Sequence, residues 1–155
     1  MKTHVLERAV FLPRAREEIF PFFANARNLE ILTPPFLRFE VVTEGEIQMA
    51  EGTRIDYKLR VHGIPIRWQS EITTWEPPHR FVDEQRRGPY RLWRHLHAFE
   101  EVDGGTRAID RVEYAVPGGP LVHRLFVRGD VERIFEYRSR KLREIFSDVA
   151  AGASS

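Results

Sequence analysis

The stretch from Arg54 to Val116 constrains the chain most. Five strand-like runs follow one another there, separated by turn signals only a few residues long. In the clearest run, Ile55, Tyr57, Leu59 and Val61 alternate with Arg54, Asp56, Lys58 and Arg60, the period of a half-buried strand. His62-Gly63-Ile64-Pro65 breaks it. Runs over 66–75, 80–86, 91–101 and 107–116 follow, punctuated by Pro77-Pro78, Gly88-Pro89 and Asp103-Gly104-Gly105. A parallel pair needs a crossover of about a dozen residues or more. These turns are too short for one, so the strands must form an antiparallel meander. After Pro117-Gly118-Gly119-Pro120 the pattern changes. Val127, Val131, Ile134, Phe135, Leu142, Ile145, Phe146 and Val149 recur at steps of three and four, which predicts a long amphipathic helix. Such a helix has to lay its apolar stripe on the concave face of the sheet.

Upstream, residues 3–12 read as a first strand. Pro13 suits the opening of a helix carrying Glu17 and Glu18 near its positive end. Pro21 has to kink that helix or start a second segment. Residues 25–32 read as another short helix, stopped at Pro34-Pro35. From Leu37 the period is two. The expected class is α+β: a curved antiparallel sheet of about seven strands wrapped on a long C-terminal helix, with two short helices after the first strand. One domain covers 1–149, and 150–155 is expected to be a flexible tail.

Composition narrows the function classes. The 24 basic and 23 acidic residues nearly cancel, leaving a net charge of +1, which argues against a dedicated nucleic-acid binder. No apolar run is long enough to span a bilayer, and Glu7 and Arg8 interrupt any signal-peptide core, so stable membrane insertion is not expected and the cytoplasm is the default address. With no cysteine, thiolate catalysis, disulfides and Cys-ligated metal are excluded. The glycines at 104–105 and 118–119 lack phosphate-loop context, and no nucleophile elbow is present. No cofactor and no resident metal is expected.

Turn arithmetic orients the strands. The turn at 103–105 sets Phe99 against Asp110, His97 against Val112 and His95 against Tyr114. The turn at 88–89 sets Trp93 against Gln85, His95 against Asp83 and His97 against Phe81. The turn near Gly63 sets Trp68 against Leu59 and Ser70 against Tyr57. One face is then charged: Arg67, Gln69, Glu71, Arg80, Glu84, Arg86, Arg94, Arg111 and Glu113. The other carries Tyr57, Leu59, Trp68, Ser70, Ile72, Phe81, Asp83, Gln85, Trp93, His95, His97, Phe99, Asp110, Val112 and Tyr114. A packed core uses Leu, Ile and Val, whereas this face mixes aromatics with His, Asp, Gln and Ser. Buried polar groups cost several kcal/mol unless paired or given a ligand, so a concave pocket is the economical reading. Phe135 and Arg138, which interrupts the helix stripe, face it from the other side. Arg138 is positioned to reach Asp110 or an anionic ligand. Trp75 is expected to point outward, which leaves both a monomer and a homodimer open.

Several segments resemble one family. They are Asn28-Leu29 with Leu32-Thr33-Pro34-Pro35, Gly52-Thr53 with Ile55-Asp56-Tyr57, and Gly63-Ile64-Pro65 with Trp68. The pattern continues through Phe81–Gln85, Gly88-Pro89-Tyr90, Trp93–Phe99, Gly105-Thr106, Asp110–Tyr114 and Ile134–Arg138. Over residues 3–146 the chain resembles the START-related, pollen-allergen-like helix-grip superfamily (SRPBCC), in its bacterial polyketide cyclase/dehydrase-like branch. The resemblance implies the helix-grip fold and a cavity for a hydrophobic ligand. It transfers no catalytic residue.

Trp93-x-His95-x-His97-x-Phe99 is the sharpest local feature, its imidazoles about 7 Å apart along one face. Three uses compete. The histidines form the polar end of a cavity for a lipid- or polyketide-like molecule. Alternatively, a pair drawn from His95, His97, Asp83 and Asp110 performs acid/base chemistry in a cofactor-free cyclase or dehydratase, with Tyr57 or Tyr114 polarising a carbonyl. His95, His97 and a carboxylate also have the ligand types of a metal triad, but H-x-H alone is a weak motif. A collapsed interior with satisfied pairs, in a structural or interaction protein, is the bland alternative.

Overall fold

In the computed structural model, residues 2–153 are described, with side chains through Ser147. Strand β1 (His4–Leu12) leads into helix α1 (Arg16–Phe23), a 3₁₀ turn at Ala26–Asn28, helix α2 (Leu29–Leu32) and a second 3₁₀ turn at Pro35–Leu37. A two-residue β2 (Glu40–Val41) precedes β3 (Arg54–Val61), β4 (Ile64–Glu76), β5 (Arg80–Arg87), β6 (Leu92–Val102) and β7 (Gly105–Ala115). Helix α3 (Gly119–Val122), a π-turn at His123–Val127 and α4 (Arg128–Ala153) close the chain. The expected tail at 150–155 overlaps the end of α4 and otherwise lies outside the described residues.

All seven strands form one antiparallel sheet, ordered β1-β7-β6-β5-β4-β3-β2. This is the expected helix-grip architecture. Helix α1 stays helical through Pro21 but ends two residues later. Residues 42–53 contain no strand, so the period-two reading from Leu37 yields only β2 before β3.

Two hairpins are paired two residues away from the expected register. Trp68 faces Tyr57, and Ser70 faces Ile55. The connection is a two-residue turn, His62-Gly63, with φ of 50° and 80°; such turns put both central residues at positive φ because that twist matches the strands. Likewise His97 faces Asp110, His95 faces Val112 and Phe99 faces Ala108. A shift of two preserves parity, so the inward and outward faces are unchanged. The β5–β6 register, with Asp83 opposite His95 and Phe81 opposite His97, is the expected one.

Trp75 is a correction. The β4–β5 ladder slips between Ile72 and Thr74, and the extra residue turns Trp75 onto the side of Phe81. It packs against Phe20 and Phe81, at ring centroid distances of 5.2 and 5.4 Å, rather than pointing outward.

The core has two parts. One gathers Leu12, Ile19, Phe20, Phe23, Ile72, Phe81, Phe99, Leu142 and Phe146 beneath α1 and the later part of α4. The other gathers Leu6, Trp93, Val112, Tyr114, Val131 and Phe135 near the start of α4. Each fully buried large side chain contributes about 1.5–3 kcal/mol. Between the two parts lie the buried polar residues described next.

Gly105 begins β7 directly against the end of β1. A Cβ there would stand 2.2 Å from the Leu12 carbonyl oxygen, a backbone atom with no freedom to move aside. Gly105→Ala is therefore expected to destabilise the fold by about 1–3 kcal/mol, measurable as a lower urea midpoint at unchanged slope.

Candidate functional site

A cavity of ≈ 390 Å³ lies between the concave sheet face and α4. Strands β3 and β4 contribute Tyr57, Leu59, Val61, Ile66, Trp68 and Ser70. Strands β5 and β6 contribute Asp83, Trp93, His95 and His97, and α4 contributes Ile134, Phe135 and Arg138. Leu29, Leu32, Thr33 and Leu37 line it from the segment after α1, and His62, Ile64, Pro89, Tyr90, Val116, Val122 and Phe126 lie toward the loops.

Ten of the fifteen expected site residues line this space: Tyr57, Leu59, Trp68, Ser70, Asp83, Trp93, His95, His97, Phe135 and Arg138. Five do not. Phe81 and Phe99 pack with Phe20 and Phe23 in the core beyond the imidazoles. Gln85 is engaged with backbone: its Nε2 donates to the Tyr90 carbonyl at 2.7 Å and its Oε1 accepts from the Tyr90 N–H at 3.1 Å, which fixes the β5–β6 loop. Asp110 sits behind His95. The Tyr114 hydroxyl pairs with His123 Nε2 at 2.7 Å, outside the cavity. The rim residues on α3 and the π-turn were invisible because Gly118-Gly119-Pro120 reads as a loop, yet the helix begins at Gly119.

The polar end is a connected network. Asp110 Oδ2 accepts from Arg138 Nε at 2.9 Å, and Asp110 Oδ1 lies 2.8 Å from His95 Nε2. Arg138 Nη2 lies 3.1 Å from His97 Nδ1, and His97 Nε2 lies 2.6 Å from Asp83 Oδ2. The hydrogen bonds thus run diagonally: Asp83 is opposite His95 in the ladder but bonds His97, and Asp110 is opposite His97 but bonds His95. The two imidazoles lean together, with ring centroids 3.6 Å apart, far closer than strand spacing alone suggests.

Donor chemistry fixes the tautomers. A guanidinium only donates, so His97 Nδ1 must be a bare acceptor, and its single hydrogen is on Nε2, donating to Asp83. Burial, together with the fields of His95 and Arg138, holds the His97 pKa well below its ordinary value, so the ring is neutral. Burial pushes Asp110 up, but Arg138, the hydrogen bond from His95 and the two imidazoles outweigh it and hold the carboxyl well below the usual range. As a carboxylate it accepts from His95 Nε2–H. The other nitrogen, His95 Nδ1, has no hydrogen-bond partner among the described residues; Asp83 Oδ2 lies 3.7 Å from it. Burial raises the Asp83 carboxyl, against the opposing pull of His95 and Arg138. Burial likewise raises the Tyr57 phenol, which stays a neutral donor.

Asp83, His95 and His97 can bring three ligand atoms within 4.8 Å of one another. The surroundings of His97 do not suit a metal. A liganding histidine ordinarily donates its other N–H to an acceptor. Here His97 Nδ1 faces the Arg138 donor, so coordination through Nε2 would require either the loss of both ring hydrogens or an Nδ1–H turned against the guanidinium.

A curved seven-stranded sheet gripping one C-terminal helix, with an apolar cavity closed at one end by a His/Asp/Arg network, defines a helix-grip protein with a small-molecule type of pocket. The chain belongs to the polyketide cyclase / dehydrase and lipid transport family, whose model matches residues 12–143, within the SRPBCC superfamily. No curated protein matches it. Among solved structures it is similar to the Zhui aromatase/cyclase of a Streptomyces species (14% identity, TM-score 0.73, 94% of each chain covered). It is also similar to the major latex-like protein 151 of Panax ginseng (10% identity, TM-score 0.69, 93% of this chain and 97% of that one). The protein TTHA0849 of Thermus thermophilus is 22% identical, with a TM-score of 0.59 over 99% of this chain and 100% of that one. At these identities the likeness concerns the fold.

Two outcomes are expected. Asp110→Ala strands the Arg138 charge in the interior and should cost about 3–5 kcal/mol in urea unfolding, whereas Asp110→Leu with Arg138→Met should recover most of that loss. His97 should show no titration near pH 6.5 in ring ¹⁵N spectra and should keep the Nε2–H tautomer. The sign follows: the unfolded ring takes a proton near pH 6.5 and the folded ring does not, so its contribution to stability is present above that pH and is lost as pH falls below it.

Proposed function

We propose that the protein binds a small, largely apolar molecule with a polar head, of lipid- or polyketide-like kind, in the cavity between the sheet and α4. One observation carries the reading: the cavity is walled mostly by aliphatic and aromatic groups, with His62 and Asp130 paired to each other toward the loops, and at its buried end the lining residue His95 has no hydrogen-bond partner on Nδ1 among the described residues. A pocket of a few hundred Å³ with few convergent polar groups is the usual form of a small-molecule site. An unpartnered imidazole nitrogen beside a neutral phenol and an elevated carboxyl suits a ligand carbonyl or hydroxyl. The family description supports this class of ligand, and the similar aromatase/cyclase supports a polyketide-like one. The filled-core alternative does not fit an interior with this much open space.

A second reading has its own observation. Asp110 bonds His95 Nε2, which leaves Nδ1 without a hydrogen-bond partner among the described residues, and Asp83 lies 3.7 Å from that atom. A base oriented by a carboxylate, next to a carboxyl of raised pKa, is the pairing that a cofactor-free cyclisation or dehydration needs. Asp110 and His97 then act as positioning residues and His95 as the proton acceptor.

The test begins with native mass spectrometry of the gently purified protein, to recover any bound compound, and with titration of 8-anilinonaphthalene-1-sulfonate, an apolar probe with an anionic head. Saturable one-to-one binding of the probe is expected, and 2-naphthol, whose hydroxyl can donate to His95 Nδ1, should bind His95→Ala about tenfold more weakly, one hydrogen bond's worth. Unchanged affinity in that variant would remove His95 from the binding role. If the recovered compound is turned over, His95→Ala should lower kcat more than it raises KM, which selects the second reading.

A further inference from the structure

The strand order puts three connections at one end of the sheet: the β3–β4 turn, the β5–β6 loop and the link from β7 into α3. These are the connections that border the cavity mouth. Their sequences share a charge pattern. Residues 57–68, 85–91 and 115–129 contain eight Lys and Arg and no Asp or Glu, in a chain whose net charge is only +1; the cavity-lining Asp130 that follows them is engaged by His62 and Arg133. Three of the eight are paired with carboxylates from elsewhere: Lys58 with Glu40, Arg86 with Glu71 and Arg128 with Glu132. Arg60, Arg67, Arg87, Arg91 and Arg124 are exposed and make no ion pair among the described residues.

The same end carries large exposed apolar groups. Leu121, Leu125 and Phe126 are 59%, 60% and 63% exposed, and Ile64, across the mouth on the β3–β4 turn, is 61% exposed. Leu121 and Leu125 are a turn apart on the helical segment, with Arg124 between them. Isolated exposed apolar residues are ordinary, but a cluster ringed by unpaired cations marks a contact surface. A second copy of the chain would bring this arginine rim against its own image in a two-fold pairing, which like charges oppose. An anionic lipid surface offers what both halves of the pattern match: phosphate headgroups for the arginines and an acyl boundary for the leucines and Phe126.

We propose that this end docks peripherally on an anionic lipid surface, with Leu121, Leu125, Phe126 and Ile64 entering the headgroup boundary and Arg60, Arg67, Arg87, Arg91 and Arg124 contacting the headgroups. The cavity mouth then faces the bilayer. No helix among the described residues is long and apolar enough to cross a membrane, so the attachment is to its surface. The inference concerns the rim, not the identity of the cavity's contents.

Co-sedimentation of the whole chain with vesicles tests it. Vesicles of phosphatidylcholine with about 30% phosphatidylglycerol should bind the protein at least about fivefold more than phosphatidylcholine alone, with binding weakened by salt. Leu121→Asp with Leu125→Asp should lower anionic-vesicle binding about tenfold, and Arg124→Glu about fivefold or more. Leu121 and Leu125 do not line the cavity, so 8-anilinonaphthalene-1-sulfonate affinity and the circular dichroism spectrum should be unchanged in the double variant. Absence of vesicle binding, equal binding to both vesicle types, or binding untouched by the leucine changes would overturn the proposal. So would a dimer that the same leucine changes dissociate in the absence of any vesicle binding, because it would assign the patch to a second copy.

Discussion

The buried pair between Arg138 on α4 and Asp110 on β7 is the contact around which the interior is arranged. Both side chains are almost wholly excluded from solvent, at 7% and 8% exposure, and they join the helix to the concave face of the sheet. Such a pair gains little net energy over an apolar substitute, since desolvation cancels most of the attraction. What it imposes is position. Arg138 falls between Phe135 and Leu142 on the helix stripe, so it divides the core in two: Phe135 and Val131 belong to one apolar group, Leu142 and Phe146 to the other. Sliding α4 along the sheet would separate the charges, a cost that purely apolar contacts would not exact.

The histidines follow from that pair. Once Asp110 is held ionised by Arg138, it can only accept, so it takes the His95 Nε2 hydrogen. Once Arg138 has one nitrogen on Asp110, another reaches His97 Nδ1, and the His97 hydrogen goes to Asp83. Each assignment uses up a donor or an acceptor. The chain of bonds ends at His95 Nδ1, which is why one nitrogen without a hydrogen-bond partner is left at the cavity wall. Stacking of Phe81 on His97 at 4.0 Å, and of His97 on His95, holds the ring planes and supplies the apolar backing that keeps His97 neutral.

Much of this was legible in the residue order because a strand's inward face depends only on parity. The turn arithmetic was wrong by two residues at two hairpins, yet the inward residues from Tyr57 to Ile72 and from Phe81 to Tyr114 kept their side. Arg138 stood out because a charge interrupting an apolar stripe has to find a partner. The failures have local causes. The bulge at Thr73 leaves no compositional mark, so Trp75 was assigned to the wrong face. Which Asp bonds which His is a diagonal choice made by side-chain rotamers, not by register. Phe81 and Phe99 point inward as expected but lie under α1, and parity cannot say whether an inward residue meets a cavity or a helix. The π-turn at 123–127 and the helical start at Gly119 were hidden by two glycines and two prolines.

The arrangement also gives the cavity a direction. Its unpartnered polar atom lies at the buried end, where His95 and His97 are 6% and 2% exposed, and its outer lining includes the exposed Ile64 and Phe126 with His62 and Asp130 paired to each other. An amphipathic molecule gives His95 Nδ1 a partner only with its head inward and its apolar part toward the mouth. The reverse orientation sets the apolar part against the His/Asp network and leaves His95 Nδ1 unpaired, which carries a desolvation penalty. The helix is tied to the mouth as well, because His62 on the β3–β4 turn meets Asp130 on α4 at 2.8 Å. The same helix therefore anchors the network at the closed end and one edge of the opening, and a shift of α4 would disturb both together.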